Sequence, residues 1–540
     1  MKRMKKLVTL LLSLVMLCAL AMPAKAAEPT YSITINGAVA GHTYTAYQVF
    51  KGVYYKGNRQ VKEDEAEYLS DVKWGDDVDG VAIVTELKAP TTLKALSDKF
   101  ASVNADDTDA TAEKVAYILQ GLGDKSEELD EFARVVGKHL TTTTAGTTNK
   151  VTIGTTNVKI DNLAAGYYFV KDSDSSAIGT GEIATKFLVE VVGNATVDIK
   201  ADAPTIKKEI VNGDADNHTS ANIGDDIDFK LTATVPDMAN YNDYTFVIRD
   251  RLSDGLTFKA GSVNVEVGGV RFTDYEWTDP THDKNEFAIK FTKEKLSEKL
   301  VHNAGAKIVV TYKATLNENA LNKDVETNTA YLEYTNDPSG NGTGKPGTTP
   351  EAPVYVYDFD LTVDKFDGTA GTNNPGKKLK DAVFVLYKKD GTNKEYYKWN
   401  EASQKVEWVS EADNATATSQ KTDKNGKATF KGLKEGTYSL EEITAPKGYN
   451  KLKDPVEVEI KATYNTEGIL ETTASDCKLK QDADNNGHYY QVQSIANKAG
   501  AVLPSTGGIG TTIFYVLGSI MALGAAVLLI AKKRMNGQER

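Results

Sequence analysis

Three side chains in the last third of the sequence have reactive chemistry in an apolar setting. Lys365 alternates with three apolar residues in FDLTVDKFD, Glu442 alternates with two in YSLEEITAPKGY, and Asn497 follows Ile495 in VQSIANKAG. Because successive side chains of a β-strand point to opposite faces, each of the three shares a face with its apolar neighbours. The spacing predicts that each of these three side chains, a Lys, a Glu and an Asn, enters a β-sheet core.

Burial changes what such groups can do. It lowers the pKa of an amine and raises the pKa of a carboxyl group. A neutral amine is a nucleophile, and a protonated acid can polarise an amide carbonyl. The Lys amine is therefore predicted to attack the Asn side-chain amide, release ammonia and leave an isopeptide bond. The alternative is a buried ion pair beside an amide, since structural ion pairs also perturb pKa values.

The run from Thr422 to Tyr449, TDKNGKATFKGLKEGTYSLEEITAPKGY, resembles the collagen-adhesin B-type domain with its E-box. The resemblance implies that Lys365 bonds to Asn497, with Glu442 as the catalyst. The neighbouring Glu441 falls on the opposite face of the strand.

A second Lys, acid and Asn also alternate with apolar residues. Lys208 in PTIKKEIVN, Asp250 in FVIRDRLSDGLTF and Asn336 in TAYLEYTND each share strand parity with apolar neighbours. The layout resembles the isopeptide-forming fimbrial domain of backbone pilins. The resemblance implies a bond between Lys208 and Asn336 with Asp250 as the catalyst, and Asn328 and Lys207 are the competing assignments.

The C-terminus has three consecutive parts. The motif Leu503-Pro504-Ser505-Thr506-Gly507 precedes an apolar span, residues 508–531, and a basic tail, residues 532–540. Pro504 fixes its own φ and keeps the preceding residue extended, as a protease-like cleft requires. The arrangement resembles the cell-wall sorting signal of Gram-positive surface proteins. In that family a sortase cysteine cuts between the Thr and the Gly and joins the Thr to an amine.

One lysine is a candidate for that amine. Backbone pilins carry an acceptor Lys in a YPK-type motif at the end of the first domain, and Lys200 in ATVDIKADAPTIKK stands at that place. The Tyr-Pro of the family motif is replaced here by Asp198-Ile199. The alternative is a solvated lysine at a strand end.

The N-terminus indicates export. A positively charged start, a short apolar core and the A-x-A site at Ala24-Lys25-Ala26 predict a signal peptide cleaved between Ala26 and Ala27. The alternative is an N-terminal membrane anchor. With the basic tail in the cytoplasm, the body of the chain is expected outside the cell.

Composition restricts the possible partners. Residues 1–26 hold five basic groups, and residues 507–540 hold four basic and one acidic, so the exported part keeps 54 basic and 74 acidic residues, a net charge of −20. This argues against binding to nucleic acid. Cys477 is the only cysteine after the signal peptide, so no internal disulfide can form.

The elements that must hold these residues are mainly strands. Alternating segments rich in Thr, Val, Tyr and Gly predict an all-β chain of tandem immunoglobulin-like sandwiches. Helical spacing within residues 92–140 predicts a helical insertion in the first domain. The expected divisions are a signal peptide (1–26), an N-terminal pilin domain (27–202), a fimbrial isopeptide-forming domain (203–350), a B-type domain with E-box (351–499), the LPSTG motif (503–507), a transmembrane segment (508–531) and a cytoplasmic tail (532–540).

The resemblance implies the shaft subunit of a cell-wall-attached pilus, whose precursor is membrane-anchored and in which Thr506 of one subunit bonds to Lys200 of the next. The implied partners are other copies of the chain, a class C pilin sortase, and a housekeeping sortase with peptidoglycan. Minor pilins and host surface ligands are further partners that the resemblance allows. No metal site, cofactor or turnover activity is expected beyond single-turnover self-modification. The alternatives are a monomeric wall-anchored adhesin and a minor pilus subunit.

Overall fold

The computed structural model describes residues 29–58, 65–90, 92–123, 126–173, 179–180, 182, 184–199, 203–236, 244–280, 285–291, 305–336, 346–369, 374–475, 477–500 and 509–536. Within these residues the chain forms three β-rich domains in succession and a C-terminal helix. The prediction of tandem β-sandwiches, the first with a helical insertion, is confirmed.

The first domain packs a three-stranded sheet, β5-β1-β8, against the sheet β3-β2-β6-β7, with β4 paired to β2. One core fills the space between the two sheets, and a second core lies between the larger sheet and the helices. Its strands are β1 (Tyr31–Asn36), β2 (Tyr44–Asn58), β3 (Glu65–Trp74), β4 (Gly146–Thr147), β5 (Asn157–Leu163), β6 (Gly166–Asp172), β7 (Lys186–Val191) and β8 (Ala195–Asp198).

The helical insertion lies between β3 and β4. It comprises α1 (Gly80–Leu87), α2 (Lys94–Phe100), α3 (Asp109–Gln120) and α4 (Glu127–Lys138). Helix α1 precedes the stretch expected to be helical. It begins where the Asp79 carboxylate accepts a hydrogen bond from the Ala82 amide at 2.9 Å, which caps its first turn.

The second domain is a sandwich of two sheets, β15-β14-β18-β11-β9 and β10-β21-β19-β12-β17-β16. Strand β13 also pairs with β18, and β20 with β19. Burial alternates strictly along β11, as expected of a sheet with one face in the core. The strands are β9 (Ile206–Ile210), β10 (His218–Ser220), β11 (Asp226–Thr234), β12 (Phe246–Leu252), β13 (Leu256–Phe258), β14 (Asn264–Val267), β15 (Val270–Arg271), β16 (Glu276–Thr278), β17 (Glu286–Phe291), β18 (Lys307–Leu316), β19 (Glu326–Tyr334), β20 (Gly347–Thr348) and β21 (Ala352–Tyr357).

Strand β21 moves the boundary between the second and third domains. The sequence divides them at 350/351, but β21 pairs with β19 and β10 inside the second sandwich. The chain crosses to the third domain at Asp358, which is buried between the two. The Gly/Pro-rich run before β21 is therefore a connection within the second domain.

The third domain packs β23-β22-β32-β31, with β28 paired to β22, against β26-β25-β24-β29-β30, with β27 paired to β24. Its first and last long strands, β22 and β32, are parallel neighbours. The strands are β22 (Phe359–Asp367), β23 (Asn374–Lys378), β24 (Val383–Asp390), β25 (Asn393–Asn400), β26 (Lys405–Ser410), β27 (Gln420–Lys421), β28 (Lys427–Leu433), β29 (Gly436–Thr444), β30 (Val456–Ile460), β31 (Leu479–Asp482) and β32 (His488–Asn497).

The second and third domains share one hydrophobic core and a hydrogen-bonded junction. The Tyr357 hydroxyl donates to the Gly468 carbonyl at 3.1 Å, and the Asn485 side chain donates to the Leu321 carbonyl at 2.8 Å. The first domain contacts the second through the Tyr334 hydroxyl, which donates to the Glu182 carbonyl at 2.8 Å.

The C-terminal helix α5 (Ile509–Asn536) covers the expected apolar span from Ile509 and continues into the basic tail as far as Asn536. Within it, residues 512–535 are long and apolar enough to cross a membrane, with a mean hydropathy of 2.5 in the most apolar window.

Candidate isopeptide sites

The third-domain site lies between the two sheets of its sandwich. Lys365 is on β22, and Asn497 ends β32, two positions beyond the register partner of Lys365. The two side chains therefore share a face of neighbouring parallel strands. Glu442 enters from β29 in the opposite sheet. Lys365, Glu442 and Asn497 are 0 %, 2 % and 1 % exposed.

The three side chains form one connected cluster. The Lys365 amine donates to Oδ1 of Asn497 and lies 3.5 Å from Oε1 of Glu442. Nδ2 of Asn497 donates to both oxygens of Glu442, at 2.9 and 3.1 Å. The Leu452 amide donates to Glu442 Oε2 at 2.8 Å, which fixes the carboxyl group. The amine thus contacts the amide from one side, and the acid contacts the nitrogen that an attack would expel.

The electrostatic setting increases the neutral fraction of the Lys365 amine. Burial lowers the pKa of Lys365 from 10.5 to about 8, although the charge of Glu442 and its hydrogen bond partly oppose the shift. The Phe384 ring lies 5.5 Å from the ammonium nitrogen and excludes water from one side. The lower pKa raises the neutral fraction of the amine near pH 7 by about two orders of magnitude.

The second-domain site joins residues from both sheets. Lys208 on β9 contacts Oδ2 of Asp250 on β12, and its amine donates to the Tyr312 hydroxyl on β18 at 2.8 Å. Nδ2 of Asn328 on β19 donates to the same hydroxyl at 2.6 Å. Asp250 and Asn328 are fully buried, and Lys208 is 5 % exposed. Tyr312 therefore stands between the amine and the amide.

The structure does not bring Asn336 to this cluster. Asn328 pairs with Leu252 on β12, and Asn336 lies eight residues farther along, beyond the end of β19. Eight residues of extended strand span about 26 Å. The carbonyl of Asn336 instead accepts from the Ala184 amide of the first domain at 2.7 Å. The amide beside Lys208 is that of Asn328, the alternative that shares the same strand parity.

Two acceptors in the second-domain cluster have no hydrogen-bond partner, Oδ1 of Asp250 and Oδ1 of Asn328. Burial raises the pKa of Asp250, although the neighbouring Lys208 opposes the shift. Burial also lowers the pKa of Lys208 to about 8, against the opposing charge of Asp250. A proton on the Asp250 carboxyl would supply a further donor to this cluster.

Tyr312 is a site residue that the sequence reasoning did not identify. In KIVVTYKATL it alternates with buried Ile308, Val310 and Ala314 and so looks like an ordinary core tyrosine. A buried tyrosine hydroxyl needs a polar partner, so a tyrosine among these core positions indicates a polar group close to it. Lys207, the competing lysine, is exposed and ion-paired with Glu209.

The remaining predicted site residues lie outside the described part of the chain: Lys200, the five residues of the motif at 503–507, and the signal cleavage pair Ala26 and Ala27. The described residues before Lys200 end at Ile199, one residue after β8, which pairs in parallel with β1.

Three family models match the chain. Residues 223–338 match the Gram-positive pilin backbone subunit 2, Cna-B-like domain, and residues 360–474 match the SpaA prealbumin-like fold domain. Residues 495–537 match the LPXTG cell wall anchor motif. The chain carries the domains of a Gram-positive backbone pilin. The pilin is a structural subunit of a cell-surface pilus and is attached to the cell wall from a membrane-anchored precursor.

The pilin is also similar to individual proteins. It is 24 % identical over 432 residues to the trypsin-resistant surface T6 protein of Streptococcus pyogenes, covering 66 % of this chain and 74 % of that protein. The solved T6 backbone pilin of S. pyogenes matches at 17 % identity and a TM-score of 0.48, covering 89 % of this chain and 96 % of that one. The major pilin SpaD of Corynebacterium diphtheriae matches at 20 % identity and a TM-score of 0.46, covering 87 % and 98 %.

Proposed function

We propose that this pilin is the repeating shaft subunit of its pilus, polymerised by a sortase that joins Thr506 of one copy to Lys200 of the next. The match of residues 223–338 to a pilin backbone domain, followed by an LPXTG anchor, carries this proposal. A class C pilin sortase would make the polymer, and a housekeeping sortase would attach its base to peptidoglycan.

The joining reaction balances as a transpeptidation. The sortase thiolate attacks the Thr506 carbonyl, and the bond to Gly507 breaks with release of the C-terminal segment. The neutral Lys200 amine of the next subunit then attacks the thioester, and the thiolate leaves. The product is a Thr–Lys amide, and α5 stays behind in the membrane.

The third-domain cluster would cross-link itself. Neutral Lys365 attacks Cγ of Asn497, a protonated Glu442 gives its proton to the departing nitrogen, and the resulting Glu442 carboxylate takes the proton that the attacking amine loses. The bond from Cγ to Nδ2 breaks, ammonia leaves, and an amide joins β22 to β32. The contacts of Asn497 Nδ2 with both oxygens of Glu442 support this role.

The second-domain cluster would react in the same way, with Lys208 as the amine, Asn328 as the amide and Asp250 as the acid. A protonated Asp250 that hydrogen-bonds the Asn328 carbonyl would polarise it for attack. The Tyr312 hydroxyl, in contact with both Lys208 and Asn328, would hold the two reacting groups together.

The shaft is tested by immunoblots of wall extracts boiled in SDS, from cells that express the chain with its pilin sortase. Wild type should give a high-mass ladder, and Lys200→Ala should collapse it to monomer. Lys159→Ala, which removes an exposed lysine of the first domain, is the matched control and should keep the ladder.

The other outcomes are also informative. A ladder that persists in Lys200→Ala would keep the shaft and place the acceptor elsewhere. A single wall-linked monomer in wild type would contradict the shaft and favour a monomeric adhesin. A ladder that contains this chain only once per fibre would favour a minor pilus subunit.

A further inference from the structure

Backbone hydrogen bonds hold the chain to the third domain at the point where it leaves that domain. Tyr449 forms a β-bridge with Ala499, and the Asn450 amide donates to the Lys498 carbonyl at 2.9 Å. The Gly500 amide donates to the Gly448 carbonyl at 3.2 Å. We call residues 447–451 and 498–500 the exit rim. Through this pairing the chain is held to the domain as far as Gly500.

A buried carboxylate, Asp367, supports the exit rim and is ion-paired with the exposed Lys377. The Tyr449 hydroxyl and the Lys377 amine donate to Oδ2 of Asp367 at 3.0 and 2.9 Å. The Thr369 hydroxyl donates to Oδ1 of Asp367 and accepts from the Ala499 amide, at 2.6 and 2.9 Å. Hydrogen bonds from Thr369 and Lys377 hold the pKa of the Asp367 carboxyl well below its usual range. The exit is thus fixed to β22, the strand that carries the reactive lysine.

This fixation limits the reach of the LPSTG motif. Leu503 is the third residue after Gly500, and Thr506 is the sixth. An extended chain covers at most about 3.5 Å per residue, so Leu503 lies within about 10 Å of Gly500 and Thr506 within about 20 Å. An enzyme that holds the motif in a cleft must therefore lie close to the exit rim.

The exit rim is basic on an acidic protein. Lys447, Lys451 and Lys498 are exposed, and none of them has an ion-pair partner among the described residues. The exported part of the chain carries a net charge of −20. A cluster of lysines without described ion-pair partners, at a place that the enzyme must approach, fits an acidic partner surface.

We propose that the exit rim is a docking surface for the polymerising transpeptidase, and that acidic groups border the peptide cleft of this enzyme. The proposal rests on the proposed function and adds a contact outside the LPSTG motif. Membrane headgroups are the less favoured occupant. Eight residues lie between Gly500 and the start of α5 and can span up to about 30 Å, so the rim has room to stand away from the membrane, whereas charge interactions across water fade over about 10 Å.

The test uses the full-length chain in neutral detergent micelles with purified pilin sortase, and it follows cleavage after Thr506. Charge reversal by K447E/K451E/K498E should lower kcat/KM about tenfold, mainly through KM, because like charges then face each other. The matched control K99E/K150E/K159E changes the net charge equally at exposed first-domain lysines and should cleave like wild type. Unchanged Tm values would show that both variants fold.

A rescue separates docking from damage to the motif. A six-residue Gly-Ser insertion after Gly500 adds about 20 Å of reach and should restore cleavage of the charge-reversed chain. Equal cleavage of rim variant and wild type would overturn the proposal. A defect seen only in vesicles of anionic lipid, and not in neutral micelles, would assign the rim to the membrane and also overturn it. If the pilin sortase does not cut the wild-type chain, the result would instead contradict the proposed function itself.

Discussion

At the scale of single residues, both candidate sites place a lysine amine in an environment that does not stabilise its charge. Lys365 and Lys208 are both buried, and burial brings the pKa of each to about 8. The acids differ in kind and position. Glu442 contacts the amide nitrogen of its site, whereas Asp250 contacts the amine and lies on the strand next to the amide. The proposed roles differ accordingly: Glu442 would give a proton to the departing nitrogen, and Asp250 would polarise the amide carbonyl.

Removal of the third-domain acid is predicted to stop one cross-link. In Glu442→Gln the amide still fills the space, but it cannot give a proton to the departing nitrogen. The intact mass of the purified chain should exceed the cross-linked value by one ammonia. Glu441→Gln, one residue away on the opposite face, is the control and should retain the bond. A normal ammonia loss in Glu442→Gln would contradict the assigned role.

The two asparagines of the second domain are distinguished by the same measurement. Asn328→Ala removes the amide beside Lys208, so its mass should show one ammonia loss fewer than wild type. Asn336→Ala changes a residue at the end of β19, far from the cluster, and should keep the wild-type number of losses. The opposite pattern would restore the Asn336 assignment.

At the scale of elements, the two cross-links would tie different pairs of strands. In the third domain the bond joins β22 and β32, which are parallel neighbours in one sheet. In the second domain it joins β9 and β19, which belong to opposite sheets. In both cases a strand near the start of the domain is tied to one near its end. Force along the chain would then pass through covalent bonds, and no reducing agent could release them.

Single-molecule stretching should detect the third-domain bond. Lys365 and Asn497 are 132 residues apart. Wild type should hold this loop closed, whereas Glu442→Gln should release roughly 450 Å of chain at about 3.4 Å per residue. The loop-closure model gives the bond about 5 kcal/mol, so the Tm of this domain should also fall, by roughly 15 °C. Equal extension in both proteins would mean that the strands are not covalently joined.

At the scale of the whole molecule, the junction of the second and third domains contains a buried charged cluster. His488 Nδ1 lies 2.9 Å from the Lys323 carbonyl, and its Nε2 lies 3.4 Å from Asp360 and 3.8 Å from Asp358. Burial alone would lower the pKa of His488, but the two carboxylates and the carbonyl outweigh it and raise the pKa to about 9. Burial raises the pKa of Asp358 to about 7, against the opposing effect of His488.

Both shifts predict a junction that weakens as pH rises. The contribution of His488 is fully present below its ordinary pKa of 6.5 and is lost as pH rises through about 9. The contribution of Asp358 to the stability of the junction also falls as pH rises, between its ordinary pKa of 3.8 and its raised pKa of about 7. After correction for the intrinsic rate, hydrogen exchange at the junction should therefore be slower at pH 6 than at pH 9.5. The free energy of opening should be higher at pH 6 by up to about 3 kcal/mol.

His488→Gln should remove most of this dependence between pH 7 and 9.5. His139→Gln changes a histidine of the first domain and should leave the junction as in wild type. A pH dependence that survives in His488→Gln would mean that other groups control the junction.

The sequence alone determined which side chains enter the cores. Strand periodicity assigned Lys365, Glu442, Asn497, Lys208, Asp250 and Asn336 to buried faces. The first five are buried, whereas Asn336, beyond the end of β19, is only half-buried. This succeeds because the alternation of faces is a local property of the extended backbone. The helical insertion was partly anticipated. Helix α1 was not, because its β-branched residues give a weak helical signal and its start depends on one capping carboxylate.

Only the tertiary structure decided which buried groups meet. Asn328 and Asn336 have the same parity, so periodicity cannot separate them; the register of β19 on β12 places Asn328 at the cluster and Asn336 far from it. Tyr312 joins the site, and β21 joins the second domain, for the same reason. Contacts between strands distant in sequence depend on register and on how two sheets face each other. Neither is a property of any one segment of the chain.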